Sequence, residues 1–126
     1  MKDKLKSILD SLNVLRDKYK IAFNVRVVNG NDASIQANNF IHIGADPLNS
    51  ISAEEISSLI YHEAFHQVFS DLDETNEFRI KDETGNLIPY YKKELQTWER
   101  VKEKFPELSS AVDKMILKLI PKYLLS

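Results

Sequence analysis

The sequence predicts an α+β fold, in which four helices accompany a small three-stranded antiparallel sheet. Apolar residues recur at three- and four-residue steps in the first 20 residues and again beyond residue 90, as on amphipathic helices. Residues 21–43 are instead rich in β-branched side chains, which is typical of strands. A length of 126 residues suits one hydrophobic core, so we expect a single domain spanning residues 1–126.

The composition narrows the functions that the chain can have. Hydrophobic residues make up 43% and charged residues 29%, as in soluble globular proteins, and the net charge is −2. That charge gives no reason to expect a nucleic acid or an anionic membrane as a partner. No segment predicts a signal peptide or a membrane span, so we expect a cytoplasmic protein. Because the chain has no cysteine, a metal site must use histidine, carboxylate and water.

The first helix is predicted over residues 4–20. Its apolar residues recur on one side, with lysines and aspartates between them, and we expect this stripe to be core. The stripe consists of Leu5, Ile8, Leu9, Leu12 and Leu15.

The sheet is predicted as an antiparallel meander of three strands, at residues 21–28, 33–37 and 40–43. Asn29-Gly30 and Asn38-Asn39 are turn sequences, because asparagine and glycine tolerate positive φ. His42 lies on the third strand, where a surface or half-buried histidine is more frequent than a metal ligand.

The next helix is predicted to begin at Ser52, after a loop over residues 44–50 in which Asp46-Pro47 disfavours helix. Ser52 and Glu55 form a capping box, in which each side chain accepts a hydrogen bond from the other's backbone amide. Residues 56–69 are apolar almost all the way round, which is typical of a buried helix.

This helix carries the pentapeptide His62-Glu63-Ala64-Phe65-His66. Residues four apart share one helical face, so both imidazoles can reach one metal ion, and Glu63 can contact a water on that ion without being a ligand. The alternative is a helix with two surface histidines and a solvated glutamate. A buried helix argues against it, because burying these polar groups without partners is costly and a metal would remove that cost.

A catalytic zinc ion has three protein ligands, and no histidine follows His66. The third ligand is therefore a carboxylate, unless it is His42 from upstream. The acidic candidates are Asp71, Asp73, Glu74, Glu77, Glu94 and Glu99.

The helix predicted over residues 90–105, after Pro89, separates two of these candidates. Measured from Glu94, Trp98 lies at about 40° and Phe105 at about 20°, whereas Glu99 lies at about 140°. Glu94 thus lies in the middle of the apolar face and needs a partner there, either a zinc ion or a lysine or arginine.

The remaining segments are an acidic connector at residues 71–77, a loose hairpin at 78–89, and a last helix after Pro106 that ends near Pro121. We expect the apolar stripe of that helix to be core, with a dimer surface as the alternative. The stripe consists of Leu108, Ala111, Val112, Met115, Ile116, Leu119 and Ile120.

The pentapeptide, the sheet before it and the later glutamate together resemble the gluzincin metallopeptidases, and the small size resembles the minigluzincins. The resemblance implies a zincin-like fold with a backing helix, an active-site helix and a glutamate helix. Glu94-Leu95-Gln96-Thr97 follows the family's Glu-x-x-small pattern, but Trp98 replaces a frequent aspartate. The resemblance also implies that an extended substrate pairs along the strand at 40–43, and that residues 121–126 can hold the enzyme latent.

The expected function is zinc-dependent hydrolysis of a peptide or protein substrate. Zn²⁺ held by His62, His66 and Glu94 would lower the pKa of its water, and Glu63 would act as general base. Tyr90, Tyr91 and His42 are candidate donors to the oxyanion. Two alternatives are a catalytically silent, zinc-stabilised protein-binding domain and a metal-free interaction module that uses the last helix. No further cofactor is expected, and the sequence does not predict the oligomeric state.

Overall fold

The structure is a computed structural model that describes residues 2–30, 33–35, 39–69 and 90–124, with side chains left out of the description at 90–92 and 120–124. The elements are α1 (Lys2–Tyr19), β1 (Asn24–Val28), β2 (Ala33–Ile35), β3 (Phe40–Gly44), α2 (Ala45–Ser50), α3 (Ala53–Val68), α4 (Tyr90–Lys104), a 3₁₀ turn (Pro106–Leu108) and α5 (Ser109–Leu124). The chain is thus α+β, as expected. It divides into two compact units, Met1–Ala64 and Phe65–Ser126, with the division inside α3. The single domain stays a prediction.

Helix α1 confirms the predicted helix, but its buried face includes only part of the predicted stripe. Ile8, Ser11 and Leu15 are buried, whereas Leu5 and Leu9 are 55% and 52% exposed. Measured from Ile8, Ser11 and Leu15 lie within about 60° on one side, and Leu9 lies about 100° away on the other. Leu15 lies between Ile8 and Ser11 on the buried face, and the serine forms one side of it, so a count of apolar residues alone places that face too far round the helix.

The sheet is mixed, so the predicted antiparallel meander is wrong. The strand order is β1-β3-β2, with β1 parallel to β3 and β2 antiparallel to β3. Ile41 and Ile43 of β3 are fully buried, while β1 has mostly exposed side chains. The strand with the most buried side chains takes the centre, because only a central strand has neighbours on both sides. β1 also begins at Asn24, three residues later than the predicted strand start at residue 21.

The central position of β3 contradicts one expectation from the family resemblance. All five residues of β3 are in register with β1, and three of them are in register with β2. An extended peptide needs a free strand edge for pairing. β3 therefore cannot be the strand along which a substrate pairs over its whole length.

The turn predicted at Asn29-Gly30 is confirmed by a positive φ of 108° at Gly30, a conformation that favours glycine. The Gly30 carbonyl accepts a hydrogen bond from the Asp46 amide at 3.2 Å. Asn39 has φ 62° and directly precedes β3, as predicted for a turn, and its partner Asn38 lies outside the described residues.

Residues 45–50 form helix α2, where a loop was predicted. Pro47 is the third residue of this helix, and the first turn of a helix has no internal partner for its amides. The proline therefore costs no hydrogen bond there, and its carbonyl accepts from the Ile51 amide at 3.0 Å. Lys4 of α1 donates to the carbonyls of Leu48 and Asn49 at 2.9 and 3.2 Å, which satisfies the end of α2.

Helix α3 has the predicted capping box. The Glu55 amide donates to Ser52 Oγ at 3.1 Å, and the Ser52 amide donates to Glu55 Oε1 at 3.4 Å. Every residue from 58 to 66 is buried, which confirms the prediction of a buried helix.

Helices α4 and α5 follow in the second unit. The Lys102 ammonium of α4 donates to Asp113 Oδ1 of α5 at 3.0 Å, and the buried face of α5 includes Ala111, Val112 and Met115, as predicted. Pro106 begins the 3₁₀ turn, and α5 follows it, as predicted for a last helix after Pro106. α5 continues to Leu124, past the expected end near Pro121. The fixed φ of proline is compatible with a helix, so the helix runs through Pro121 at the cost of one backbone hydrogen bond and of crowding against the carbonyl four residues earlier.

The predicted connector at residues 71–77 and the predicted hairpin at 78–89 lie outside the described residues. The side chains of Ile120 and of residues 121–126 also lie outside them, so the proposed latency segment stays a prediction. Among the described residues, no helix is both long and apolar enough to cross a membrane.

Candidate metal centre

Helix α3 supplies two of the predicted metal ligands. His62 and His66 are one turn apart on the helix and are 1% and 3% exposed. The residues around them, Tyr61, Ala64 and Phe65, are buried as well. His62 lies in the interior of the helix, and His66 lies in its last turn, two residues before it ends at Val68.

Helix α4 supplies the predicted carboxylate. Glu94 is buried on the same face as Trp98, Val101 and Phe105, as helical periodicity predicted. Glu99 is exposed, so it is not a member of that face. The structure therefore separates the two acids of α4 in the way that the sequence did.

The three side chains lie together. His66 Nε2 is 3.2 Å from Glu94 Oε2, and single ligand atoms of His62, His66 and Glu94 all lie within 4.8 Å of one another. A tetrahedral zinc ion with bonds of about 2.1 Å needs ligand atoms about 3.4 Å apart. The His66–Glu94 distance already meets this value, and movements of about 1 Å would bring the whole group to it.

The donor chemistry of this group fits a divalent ion. Two imidazoles and one carboxylate are a ligand set found in catalytic zinc sites, and all three side chains are buried. A buried carboxylate needs a charged or hydrogen-bonding partner. In this structure Glu94 Oε2 lies 3.2 Å from His66 Nε2, beside another member of the group.

The Nδ1 atoms of His62 and His66 are buried and make no hydrogen bond to the described residues, although both side chains have other interactions. Histidines that bind a metal commonly donate their second ring N–H to a carboxylate or carbonyl. Trp98, which replaces the aspartate frequent in the resembling family, is fully buried on α4 and has no carboxylate to offer.

The other predicted site residues are distributed differently. Glu63 directly follows His62 and is 8% exposed, and it is not a member of the group that can hold an ion. His42 is half-buried on β3 between Arg26 and Ser34, and it is not a member of that group either. The acids of residues 71–77 and the side chains of Tyr90 and Tyr91 lie outside the described residues.

Sequence reasoning missed two buried polar residues beside Glu94. Lys93 is 2% exposed and Thr97 is fully buried. The Thr97 hydroxyl donates to the Lys93 carbonyl at 3.1 Å, one turn earlier, which satisfies it within the helix. No sequence signal marks Lys93, because a lysine at the edge of an apolar face usually extends into solvent.

A group of aromatic and cationic residues, which we call the Phe69 cluster, joins the end of α3 to α4. It consists of Phe65, Phe69, Arg100, Lys104 and Phe105. The Phe65 ring packs edge-to-face on Phe69 with centroids 5.0 Å apart, and it stacks on Phe105 at 6.1 Å. The Arg100 guanidinium lies 4.9 Å from the Phe69 ring centroid and the Lys104 ammonium 5.9 Å from it.

No protein-family model and no curated protein matches this sequence. The structure by itself establishes a buried group of two histidines and one glutamate that can hold a metal ion.

Proposed function

We propose that the chain is a zinc-dependent metallopeptidase related to the gluzincins. The observation that carries this proposal is the buried group of His62, His66 and Glu94, whose ligand atoms lie close enough to share one ion. Two histidines and one glutamate leave a fourth position of a zinc ion open for water. Glu63 is next to the first ligand in sequence and supplies a carboxylate for proton transfer.

The proposal includes a zincin-like fold. In this interpretation α1 is the backing helix, α3 the active-site helix and α4 the glutamate helix. The element order and the small sheet before α3 support it. A cytoplasmic location and a peptide or protein substrate, rather than a nucleic acid or a membrane, also remain part of the proposal.

The mechanism assigns distinct tasks to the residues of α3 and α4. His62, His66 and Glu94 would hold the ion, which would supply Lewis acidity towards a water molecule and a carbonyl group. Glu63 accepts the proton of the attacking water and passes it to the nitrogen of the leaving amine. The burial of all four residues excludes bulk water, which strengthens their electrostatic interactions.

The central experiment replaces the proposed general base. Glu63→Gln keeps the size of the side chain and removes its ability to accept a proton, so we expect full zinc content and a loss of peptide hydrolysis of at least about 100-fold. The measurements are zinc content by elemental analysis and turnover of a peptide library. Glu54→Gln is the matched control, because Glu54 is an exposed glutamate of the same helix.

Three outcomes discriminate between functions. Unchanged hydrolysis in Glu63→Gln would show that the mechanism is wrong. A wild-type protein that holds zinc and cleaves no peptide would identify a silent, zinc-stabilised binding domain. A protein that holds no metal and keeps its stability after treatment with a chelator would support the metal-free module.

A further inference from the structure

We propose that the Phe69 cluster positions Glu94 for metal binding, by fixing the tilt of α4 against the end of α3. The inference rests on the metal centre proposed above. No member of the cluster belongs to the group that can hold the ion, so these residues act through Glu94. They are positioning residues, and neither the sequence motif nor the ligand set identifies them.

The end of α3 and α4 meet at two levels. At one level His66 contacts Glu94. At the other level Phe69 contacts Arg100 and Lys104, which follow Glu94 by six and ten residues. On an α-helix these separations correspond to about 9 and 15 Å along the axis. Two attachments so far apart restrain the tilt of α4 against α3 more tightly than the contact of Glu94 alone.

A small tilt of α4 displaces the Glu94 carboxylate by more than a metal–ligand bond tolerates. With a lever of about 12 Å, a tilt of about 5° moves the Glu94 carboxylate by about 1 Å. Metal–ligand distances tolerate changes of about 0.2 Å. A small loosening at the Phe69 level is therefore enough to remove Glu94 from bonding distance, although no ligand has been changed.

The contacts within the Phe69 cluster are directional, so they restrict the orientation of α4. Arg100 and Lys104 are one turn apart, and both bring a positive charge within 6 Å of the same ring. Phe65, which precedes His66, packs edge-to-face on the Phe69 ring and also stacks on Phe105. Such contacts depend on the direction of approach, unlike plain apolar burial, so they determine orientation as well as proximity.

The test uses the full chain and compares Arg100→Met and Phe69→Leu with the control Lys102→Met. Lys102 is on the same helix and pairs with Asp113 of α5, so its replacement removes the same charge without touching the cluster. Electrostatics alone predicts that removing either cation strengthens the binding of a metal cation. Positioning predicts the opposite result for Arg100 only. The readouts are the zinc Kd by chelator competition and the visible spectrum of the Co²⁺-loaded protein.

We expect Arg100→Met and Phe69→Leu to weaken zinc binding about tenfold and to alter the Co²⁺ spectrum, with Lys102→Met leaving the spectrum unchanged and zinc binding no weaker. Arg100→Lys and Phe69→Tyr should restore most of the affinity. Wild-type affinity and spectrum in both cluster variants, with metal still lost in Glu94→Ala, would overturn the positioning role and leave the metal centre standing. Lower thermal stability with the same affinity and spectrum would overturn it too. A wild-type chain that binds no zinc would overturn the metal centre and this inference together.

Discussion

Helices α3 and α4 bring their polar site residues into the protein in different ways. Residues 58–66 of α3 are all buried, so position on this helix hardly distinguishes a ligand from a core residue. On α4, Gln96 and Glu99 are exposed, while Glu94 and Trp98 are buried. Burial therefore identifies Glu94 as the ligand candidate on α4, whereas on α3 only the spacing of the two histidines identifies the ligand candidates. To predict a ligand on a helix that is buried all round, a sequence motif is needed. On a helix with one buried face, the position of a polar residue on that face is enough.

The largest expected effect tests whether the face of α4 selects the third ligand. Glu94→Ala removes the carboxylate that lies 3.2 Å from His66, so we expect zinc content to fall close to background. Glu99→Ala, on the exposed side of the same helix, should keep full zinc. Elemental analysis of the two purified variants beside the wild type provides the measurement. Full zinc in Glu94→Ala would remove Glu94 from the ligand set and return the choice to the other acids.

A second prediction tests the difference in burial itself, in the metal-free protein. Ile60 of α3 is fully buried, so Ile60→Ala should lower the free energy of unfolding by about 2–5 kcal/mol. Leu95 of α4 is half-buried, and Leu95→Ala should cost less than half as much. Denaturant unfolding in the presence of a chelator measures both values. Equal losses would mean that α4 contributes as much to the core as α3.

The periodicity of apolar residues predicts the buried face of α4 correctly but not that of α1. The difference lies in how the apolar residues are distributed around each helix. On α4 the apolar members are large and cluster within a narrow arc, so the centre of the arc is well defined. On α1 five apolar residues cover a wide arc, and the buried face takes in Ile8 and Leu15 near one edge of it together with Ser11 beyond that edge. A small serine can be buried cheaply when its hydroxyl is satisfied, and exposed leucines are common on protein surfaces. The periodicity of apolar residues alone does not predict that a serine is buried while two leucines are exposed.

Strand order and the short helix α2 were beyond sequence reasoning for other reasons. Local signals predicted β2 and β3 as antiparallel neighbours, which the structure confirms. The pairing of β1 with β3 joins residues 16 positions apart and depends on which strand has the most apolar surface to bury. In α2, the rule against helix before proline gave the wrong answer because it applies within a helix and not in its first turn.

The smallest expected effect concerns the Lys102–Asp113 ion pair, whose contribution to stability should be lost at alkaline pH. The hydrogen bond to Asp113, helped by the charge of Glu99, raises the pKa of Lys102 above its ordinary value of 10.5. The unfolded chain therefore loses this proton first, so the stabilisation is complete below about pH 9 and is lost as the pH rises past the raised pKa. Burial raises the pKa of Tyr19 on α1 above 10.0 and acts with the same sign, so its contribution must be removed with Tyr19→Phe. In that background, adding Lys102→Met should reduce the fall in Tm between about pH 8 and pH 11, by a small margin because the ion pair is solvent-exposed. An identical fall in Tm with and without Lys102 would show that the exposed side of α4 contributes nothing to the alkaline limit.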